Sequence, residues 1–272
     1  MHDHVFKENR IRKIGGNETS DASGTRVLFD HVRLLRPGNR QYFLSILFMT
    51  LTMGRNFDLV AFDMDGVLFN HRSSWAWIHE QYGVDNKESF NAFIKGEIDE
   101  KEFMRRDIAL WKNIDPEVSI QKLTGLFRNM PLYDGIQETV ASLQWNGLKC
   151  VIVSGGVDIA ADMICNEFGF DGAAANCLEA DDNGILTGEG IVNVDLTDKG
   201  VKLKEYIKEF NTTRERTISV GNSYTDINMF KASGFSIAFN PIDEPTKLAS
   251  DKILVAKNIS DILNIIFDLE EQ

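Results

Sequence analysis

Two carboxylates lie two residues apart at the end of an apolar run, in Asp58-Leu59-Val60-Ala61-Phe62-Asp63-Met64-Asp65-Gly66-Val67. If the run is a strand that continues, side chains two apart face the same way, so Asp63 and Asp65 share one side. Gly66 permits a sharp turn just past them. Two like charges so close call for a cation, and a hard, oxygen-seeking ion such as Mg²⁺ answers that need. Asp63 is then placed to attack phosphorus, and Asp65 to pass a proton to the leaving group and take one from water. Taken alone, the pair also fits a solvated turn or a Ca²⁺ loop.

Three other stretches carry matching chemistry. In Cys150-Val151-Ile152-Val153-Ser154-Gly155-Gly156 an apolar run ends in a hydroxyl and two glycines, and a helical pattern begins at Val157. Glycines let backbone N–H groups approach an anion, the helix start adds positive charge, and Ser154 can bond a phosphoryl oxygen; a plain turn is the competing reading. Lys199, in Thr197-Asp198-Lys199-Gly200, opens a helix, where the helix dipole disfavours a cation. A nearby anion would explain it, and as a phosphate-binding lysine it would neutralise the nucleophile and the phosphoryl oxygens together. An ordinary surface lysine is the alternative. Asn222 and Asp226 stand four apart after another apolar run, close enough to share a metal site directly or through water, or else to be an N-cap and a first-turn acid.

These positions need a frame that gathers them. From residue 56 onward, short β-branched and apolar runs at 57–62, 149–153, 173–178, 216–220, 235–239 and 252–255 alternate with longer amphipathic segments. That alternation predicts an α/β fold, a doubly wound parallel sheet wrapped by helices, with ligands bound past the carboxyl ends of the strands. Between residues 69 and 133 the alternation stops and several helices follow one another. Ser74 reads as the cap of the first, and Asp99 with Glu102 as a capping box. The boundaries expected are an N-terminal extension at 1–55, a core at 56–72 and 131–272, and a small helical cap domain at 73–130 that closes over the site. Asn183-Gly184 marks a hairpin.

The composition excludes some partners. The 272 residues carry a formal charge of −12, which opposes binding to nucleic acid, and 43% are hydrophobic, ordinary for a globular chain. The apolar run at 42–53 falls short of the roughly 20 residues a membrane span needs and lies too far in for an ordinary signal peptide. The extension reads as a loosely packed tail, an over-extended start with Met53 as the first residue, or a docking helix. Cys150, Cys165 and Cys177, an odd set without a CxxC pair, read as reduced core residues of a cytoplasmic protein. The oligomeric state is not legible.

Taken together and in order, the four stretches resemble the haloacid dehalogenase superfamily, and within it the phosphoserine phosphatase branch. The resemblance rests on Phe62-Asp63-Met64-Asp65-Gly66-Val67-Leu68, Val153-Ser154-Gly155-Gly156-Val157-Asp158-Ile159-Ala160, Asp198-Lys199-Gly200, Leu186-Thr187-Gly188 and Asp226-Ile227-Asn228-Met229-Phe230, over roughly residues 56 to 267. It implies a Mg²⁺-dependent phosphatase acting on a small phosphorylated metabolite. In that scheme Asp63 forms an aspartyl-phosphate and binds metal, and Asp65 is acid and base while its carbonyl binds metal. Ser154, Gly155 and Lys199 hold the phosphoryl group, and Asn222 and Asp226 complete the metal site. Phosphoryl transfer to another acceptor uses the same residues, and a non-enzymatic phosphate sensor is a further alternative.

The sequence departs from the branch at telling places. Asn222 stands where the branch has a metal-binding Asp, and Thr225 where it has Asn. The glutamate that meets the serine ammonium, nine residues past the nucleophile, falls on Arg72, and by ungapped comparison the cap arginine that meets the serine carboxylate falls on Asp107, with Arg105 and Arg106 adjacent. The expectation is a substrate other than phosphoserine, one acidic enough to meet Arg72, Arg105 or Arg106, and weaker Mg²⁺ binding than in relatives with Asp.

Overall fold

The computed structural model describes residues 56–270, and the expectations for 1–55 lie outside them. The central strand, β1 (Leu59–Phe62), is fully buried along its length. Its side chains alternate between two cores: Val60 and Phe62 join the larger cluster, Leu59 and Ala61 the smaller one on the opposite face. A strand buried on both faces reads as a continuous apolar run, which Leu59-Val60-Ala61-Phe62 is.

Around it lie β2 (Lys149–Val157), β3 (Gly172–Ala180), β4 (Leu186–Ile191), β5 (Thr217–Gly221), β6 (Phe235–Phe239) and β7 (Lys252–Leu254). They form one seven-stranded sheet in the order β4-β3-β2-β1-β5-β6-β7, parallel except for β4, which pairs antiparallel to β3 at the edge. The Asn183-Gly184 hairpin is therefore present. Gly184 takes φ +77°, and Asp181 accepts N–H bonds from Asn183 and Ile185 to close the turn.

Four helices, α1 (Ser74–Tyr82), α2 (Lys87–Ile94), α3 (Glu100–Ile114) and α4 (Ile120–Phe127), occupy the stretch where the strand pattern stopped. After them come α5 (Ile136–Trp145), α6 (Asp158–Phe168), α7 (Lys199–Glu209), α8 (Ile227–Ala232), α9 (Glu244–Ala249) and α10 (Ile262–Glu270), which pair with strands in the expected alternation. Met104 of α3 packs against Gly190 of β4, where a Cβ would collide with its methyl end, and Arg105 pairs with Glu189 at 2.8 Å. The inserted helices thus lean on the hairpin.

Two helix starts differ from the expected caps. Ser73, not Ser74, caps α1, its side chain accepting the Ala76 N–H. At α3, Asp99 accepts the Glu102 N–H, but the Glu102 carboxylate turns to Arg105 and Arg106 rather than back to the cap. β2 also runs further than expected, through Ser154, Gly155 and Gly156 to Val157, with a register shift against β3 between Val153 and Val157. The irregularity replaces the turn that Ser-Gly-Gly suggested.

Candidate active site

The sheet register assembles the site. Phe62 pairs with Ile152 of β2 on one side and with Val220 of β5 on the other, so the residues just past each strand share one rim. Asp63 continues β1 by donating its N–H to Val220 O at 2.8 Å, and the residue is 3% exposed. Lys199, the first residue of α7, extends its ammonium between two carboxylates: Nζ lies 2.8 Å from Asp63 Oδ1 and 2.7 Å from Asp226 Oδ1. The anion that its place at a helix start called for is thus a pair of aspartates.

Asp226 is fully buried, and its second oxygen accepts the N–H groups of Asn222 (2.8 Å) and Ser223 (3.0 Å), which ties the loop after β5 around the lysine. Gly221 is small because Asp226 packs over it, with a Cβ there only 2.5 Å from the Asp226 Cβ. Asn222 is 6% exposed, its side chain lies over Gly66, and its side-chain amide has no hydrogen-bond partner among the described residues. Gly66 takes φ +79°, and any Cβ there would collide with that amide, so both the turn and the close approach require glycine.

Asp63 and Asp65 part company, contrary to the shared face expected of a continuing strand. β1 ends at Phe62, and the chain folds back through bonds from Leu68 N and Phe69 N to Met64 O. Asp63 Oδ1 accepts from Lys199 and from Met64 N, while Asp65 turns to the start of α1. There Ser74 donates its N–H to Asp65 Oδ1 at 2.9 Å and its hydroxyl to Oδ2 at 3.0 Å, and the same hydroxyl accepts Val157 N–H at 2.9 Å. Sequence reasoning spent Ser74 on helix capping and missed this role. A second serine directly beside the cap was the available signal. Ser154 is fully buried and its Oγ accepts Gly156 N–H at 3.1 Å, which leaves its own proton for another acceptor.

The electrostatics are those of a reactive site. Burial first, and then the charge of Asp226, push the Asp63 carboxyl up to about 7 in spite of Lys199. Burial pushes Asp65 up to about 6 against the two Ser74 hydrogen bonds. Burial alone would pull the Lys199 ammonium down, but Asp226 and Asp63 hold it above its ordinary range. Three carboxylates against one ammonium leave the cluster at −2 when all are ionised.

No group of three or more His, Cys, Asp or Glu side chains among the described residues is arranged to hold a metal, and Lys199 stands between Asp63 and Asp226. The donor chemistry nevertheless fits a hard divalent cation. The residual charge is −2, Asp63 Oδ2 makes no hydrogen bond to the described residues, and the Asn222 amide is buried without a partner beside Gly66.

The cations singled out for substrate binding lie elsewhere. The Arg72 side chain is 74% exposed and sits 3.4 Å from Glu80. Arg105 pairs with Glu189 and Glu102, and Arg106 with Glu102. None of the three bonds to Asp63, Asp65, Ser154 or Lys199. Asp107 is buried within the inserted helices, where it accepts from His79 Nε2 (3.1 Å), Asn86 Nδ2 (3.0 Å) and Ser89 Oγ (3.1 Å). It is an internal pin.

The chain is similar to known proteins over most of its described length. The family model of haloacid dehalogenase-like hydrolases matches residues 60–231. A phosphoserine phosphatase of Methanocaldococcus jannaschii is 31% identical over 214 residues, 76% of this chain and 97% of that one. One from Archaeoglobus fulgidus is 29% identical over 219 residues, 79% of this chain and 61% of that longer one. Among solved structures, a phospho-aspartyl intermediate analogue of phosphoserine phosphatase superposes with a TM-score of 0.65 at 29% identity, covering 78% of this chain and 99% of that chain. The chain belongs to the haloacid dehalogenase-like hydrolases, and within them it is a phosphoserine phosphatase-like phosphatase.

Proposed function

We propose that the chain hydrolyses a small phosphomonoester other than phosphoserine, with Mg²⁺, through an aspartyl-phosphate on Asp63. The observation that carries this reading is Lys199 held between the buried carboxylates of Asp63 and Asp226, with Ser154 on the neighbouring strand β2 and Asp65 turned to Ser74.

Asp63 attacks phosphorus, forming an Asp63–O–P bond as the ester P–O bond breaks. Asp65, whose raised affinity for a proton suits an acid near neutrality, donates that proton to the leaving oxygen. Asp65 then takes a proton from water as the water oxygen attacks the same phosphorus, which frees phosphate and restores Asp63. Lys199, Ser154 and the Gly155 region hold the phosphoryl oxygens, with Lys199 supplying fixed positive charge in a water-poor site. Asp63, the Asp65 carbonyl and Asn222 would hold Mg²⁺, with Asp226 contributing charge nearby, and the ion would supply positive charge that keeps Asp63 ionised and offsets the phosphoryl charge.

The inserted helices serve as a cap that excludes water and bulky esters. A substrate other than phosphoserine is supported by the two departures from the relatives' pattern. Asp107 is committed to the interior of the cap, and Arg72 turns out to Glu80, so neither position offers the charge that the carboxylate or the ammonium of phosphoserine would need. The test is a panel of phosphorylated metabolites, phosphoserine included, with Mg²⁺ and with Asp63→Asn as control. The reading expects Asp63-dependent phosphate release, fastest on an ester other than phosphoserine. Phosphoserine far ahead of the rest would overturn the substrate part, and release unchanged in Asp63→Asn would overturn the whole.

A further inference from the structure

The residue after Ser74 reaches the other half of the site. Trp75, half-buried at the start of α1, donates its indole N–H to Gly155 O at 3.1 Å, across 80 positions of sequence. The buried Asn176 of β3 points its Nδ2 at the same carbonyl at 3.4 Å. That Nδ2 also donates to Glu100 Oε1 of α3 at 2.9 Å, and Glu100 Oε2 takes Leu196 N–H at 3.1 Å. Two residues of the inserted helices, Trp75 directly and Glu100 through Asn176, therefore act on one peptide carbonyl in the phosphoryl-binding stretch.

That carbonyl belongs to the peptide whose N–H is Gly156. In a trans peptide the C=O and the N–H point in opposite directions, and no cis bond is present among the described residues. Holding Gly155 O toward Trp75 aims Gly156 N–H at Ser154 Oγ, where it donates at 3.1 Å. With that acceptor site of the hydroxyl filled, the Ser154 proton is left to point at a phosphoryl oxygen. Gly156 itself is closely packed. A Cβ on Gly156 would lie 2.5 Å from Ser74 Oγ and 2.7 Å from Asp65 Oδ2.

The indole is itself held. It stacks on Trp111 of α3 with centroids 5.6 Å apart and planes at 21°. Trp111 Nε1 donates to His79 Nδ1 at 2.8 Å, so the proton of that imidazole sits on Nε2 and faces Asp107. The Asp107 pin thus ends at the phosphoryl-binding peptide.

We propose that Trp75 is a positioning residue that orients the Gly155–Gly156 peptide, and through it the Ser154 hydroxyl, so that the phosphoryl-binding stretch is complete only while the inserted helices are docked. This rests on Ser154 binding the phosphoryl group, as proposed above.

The probe is inorganic phosphate with Mg²⁺, titrated calorimetrically into the full chain. Trp75→Phe keeps a ring on Trp111 but removes the N–H, and the loss of one neutral hydrogen bond is expected to weaken phosphate about three- to tenfold. In a Ser154→Ala background the same change is expected to weaken it less than about twofold, since the group it orients is gone. Trp77→Phe is the control. It removes an indole bond of the same kind in the same helix, to Leu126 O at 3.2 Å, and leaves phosphate affinity as it was.

If Ser154→Ala binds phosphate as tightly as the unsubstituted chain, the Ser154 reading fails and takes the inference with it. If Ser154→Ala weakens phosphate but Trp75→Phe does not, or if Trp75→Phe weakens it equally in both backgrounds, the inference alone fails. Should Trp75→Phe not fold, the unsubstituted chain decides. The Trp75 indole N–H resonance is expected to move on adding phosphate while that of Trp77 stays, and an unmoved Trp75 resonance contradicts the proposal.

Discussion

Asp63→Asn removes a charge from the most strained position of the cluster and leaves its hydrogen bonds in place. Both acceptor contacts of Asp63, from Lys199 Nζ and from Met64 N, fall on Oδ1, so an asparagine that keeps its oxygen there loses neither. The native carboxyl is pushed from 3.8 up to about 7 by burial and by Asp226. With its affinity for the proton raised by folding, it favours the native state fully only below about pH 3.8. Between there and pH 7 the unfolded chain loses its proton while the native one keeps it, and stability falls as pH rises. Three units at 1.36 kcal/mol each give an upper figure of about 4 kcal/mol above pH 7. The substitution removes that penalty, which for a chain of this size is a gain of roughly 10 °C in Tm. Scanning calorimetry in EDTA, from pH 5 to 8.5, is expected to show Asp63→Asn melting above the unsubstituted protein, with a gap that widens toward pH 7 and then levels. A gap that is absent at pH 8, or that does not change with pH, would refute the account of a destabilised nucleophile.

Other consequences follow from the same geometry. Asn222→Asp adds a charge worth about 4 kcal/mol per unit of opposite charge at about 4 Å and an effective dielectric near 20, much of it offset by the −2 already there. The Mg²⁺ concentration for half-maximal activity should fall about tenfold, and an unchanged value would remove Asn222 from the metal site. Ser74→Ala takes from Asp65 a hydrogen bond that lowers its pKa, so the limb of the pH–rate profile governed by Asp65 should move to higher pH as kcat falls about tenfold or more; a smaller kcat with the profile fixed would contradict a role through Asp65. Asp107→Ala strands His79, Asn86 and Ser89 in the interior and should cost about 3 kcal/mol, read as a Tm lower by roughly 6 to 12 °C, whereas a surface residue would cost nothing measurable.

What could be read from the chain depended on how far each interaction reached. The alternation of apolar runs and amphipathic stretches gave the sheet, because a buried parallel strand has no choice but to be apolar throughout, as Leu59-Val60-Ala61-Phe62 is. The strand-end rule then put Asp63, Ser154 and Asn222 on one rim. Lys199 was conspicuous for being a cation at a helix start, but its partners, Asp63 and Asp226, are 136 and 27 positions away and become neighbours only through the sheet order.

Local rules failed where a side chain had two possible employers. Ser73 and Ser74 are both capable caps, and only the fold assigns the first to α1 and the second to Asp65. Glu102 had cationic neighbours one turn on, and these outcompeted the backbone of its own helix start. The glycines after Ser154 suggested a turn, whereas their real constraint is the Asp65 carboxylate and the Leu196 side chain packed against them. Asp107 was matched by position to a substrate-binding arginine, but its neighbours His79, Asn86 and Ser89 make it part of the interior.

In the proposed mechanism Asp63 carries the phosphoryl group, and covalent trapping reads that bond. A substrate taken from the metabolite panel is turned over with Mg²⁺, the reaction is quenched in acid, and borohydride converts any aspartyl-phosphate to homoserine before peptide mass analysis. The account predicts homoserine at position 63 and at no other aspartate, dependent on both substrate and Mg²⁺. Rapid phosphate release with position 63 unaltered, or homoserine at Asp65 or Asp226 instead, would contradict it.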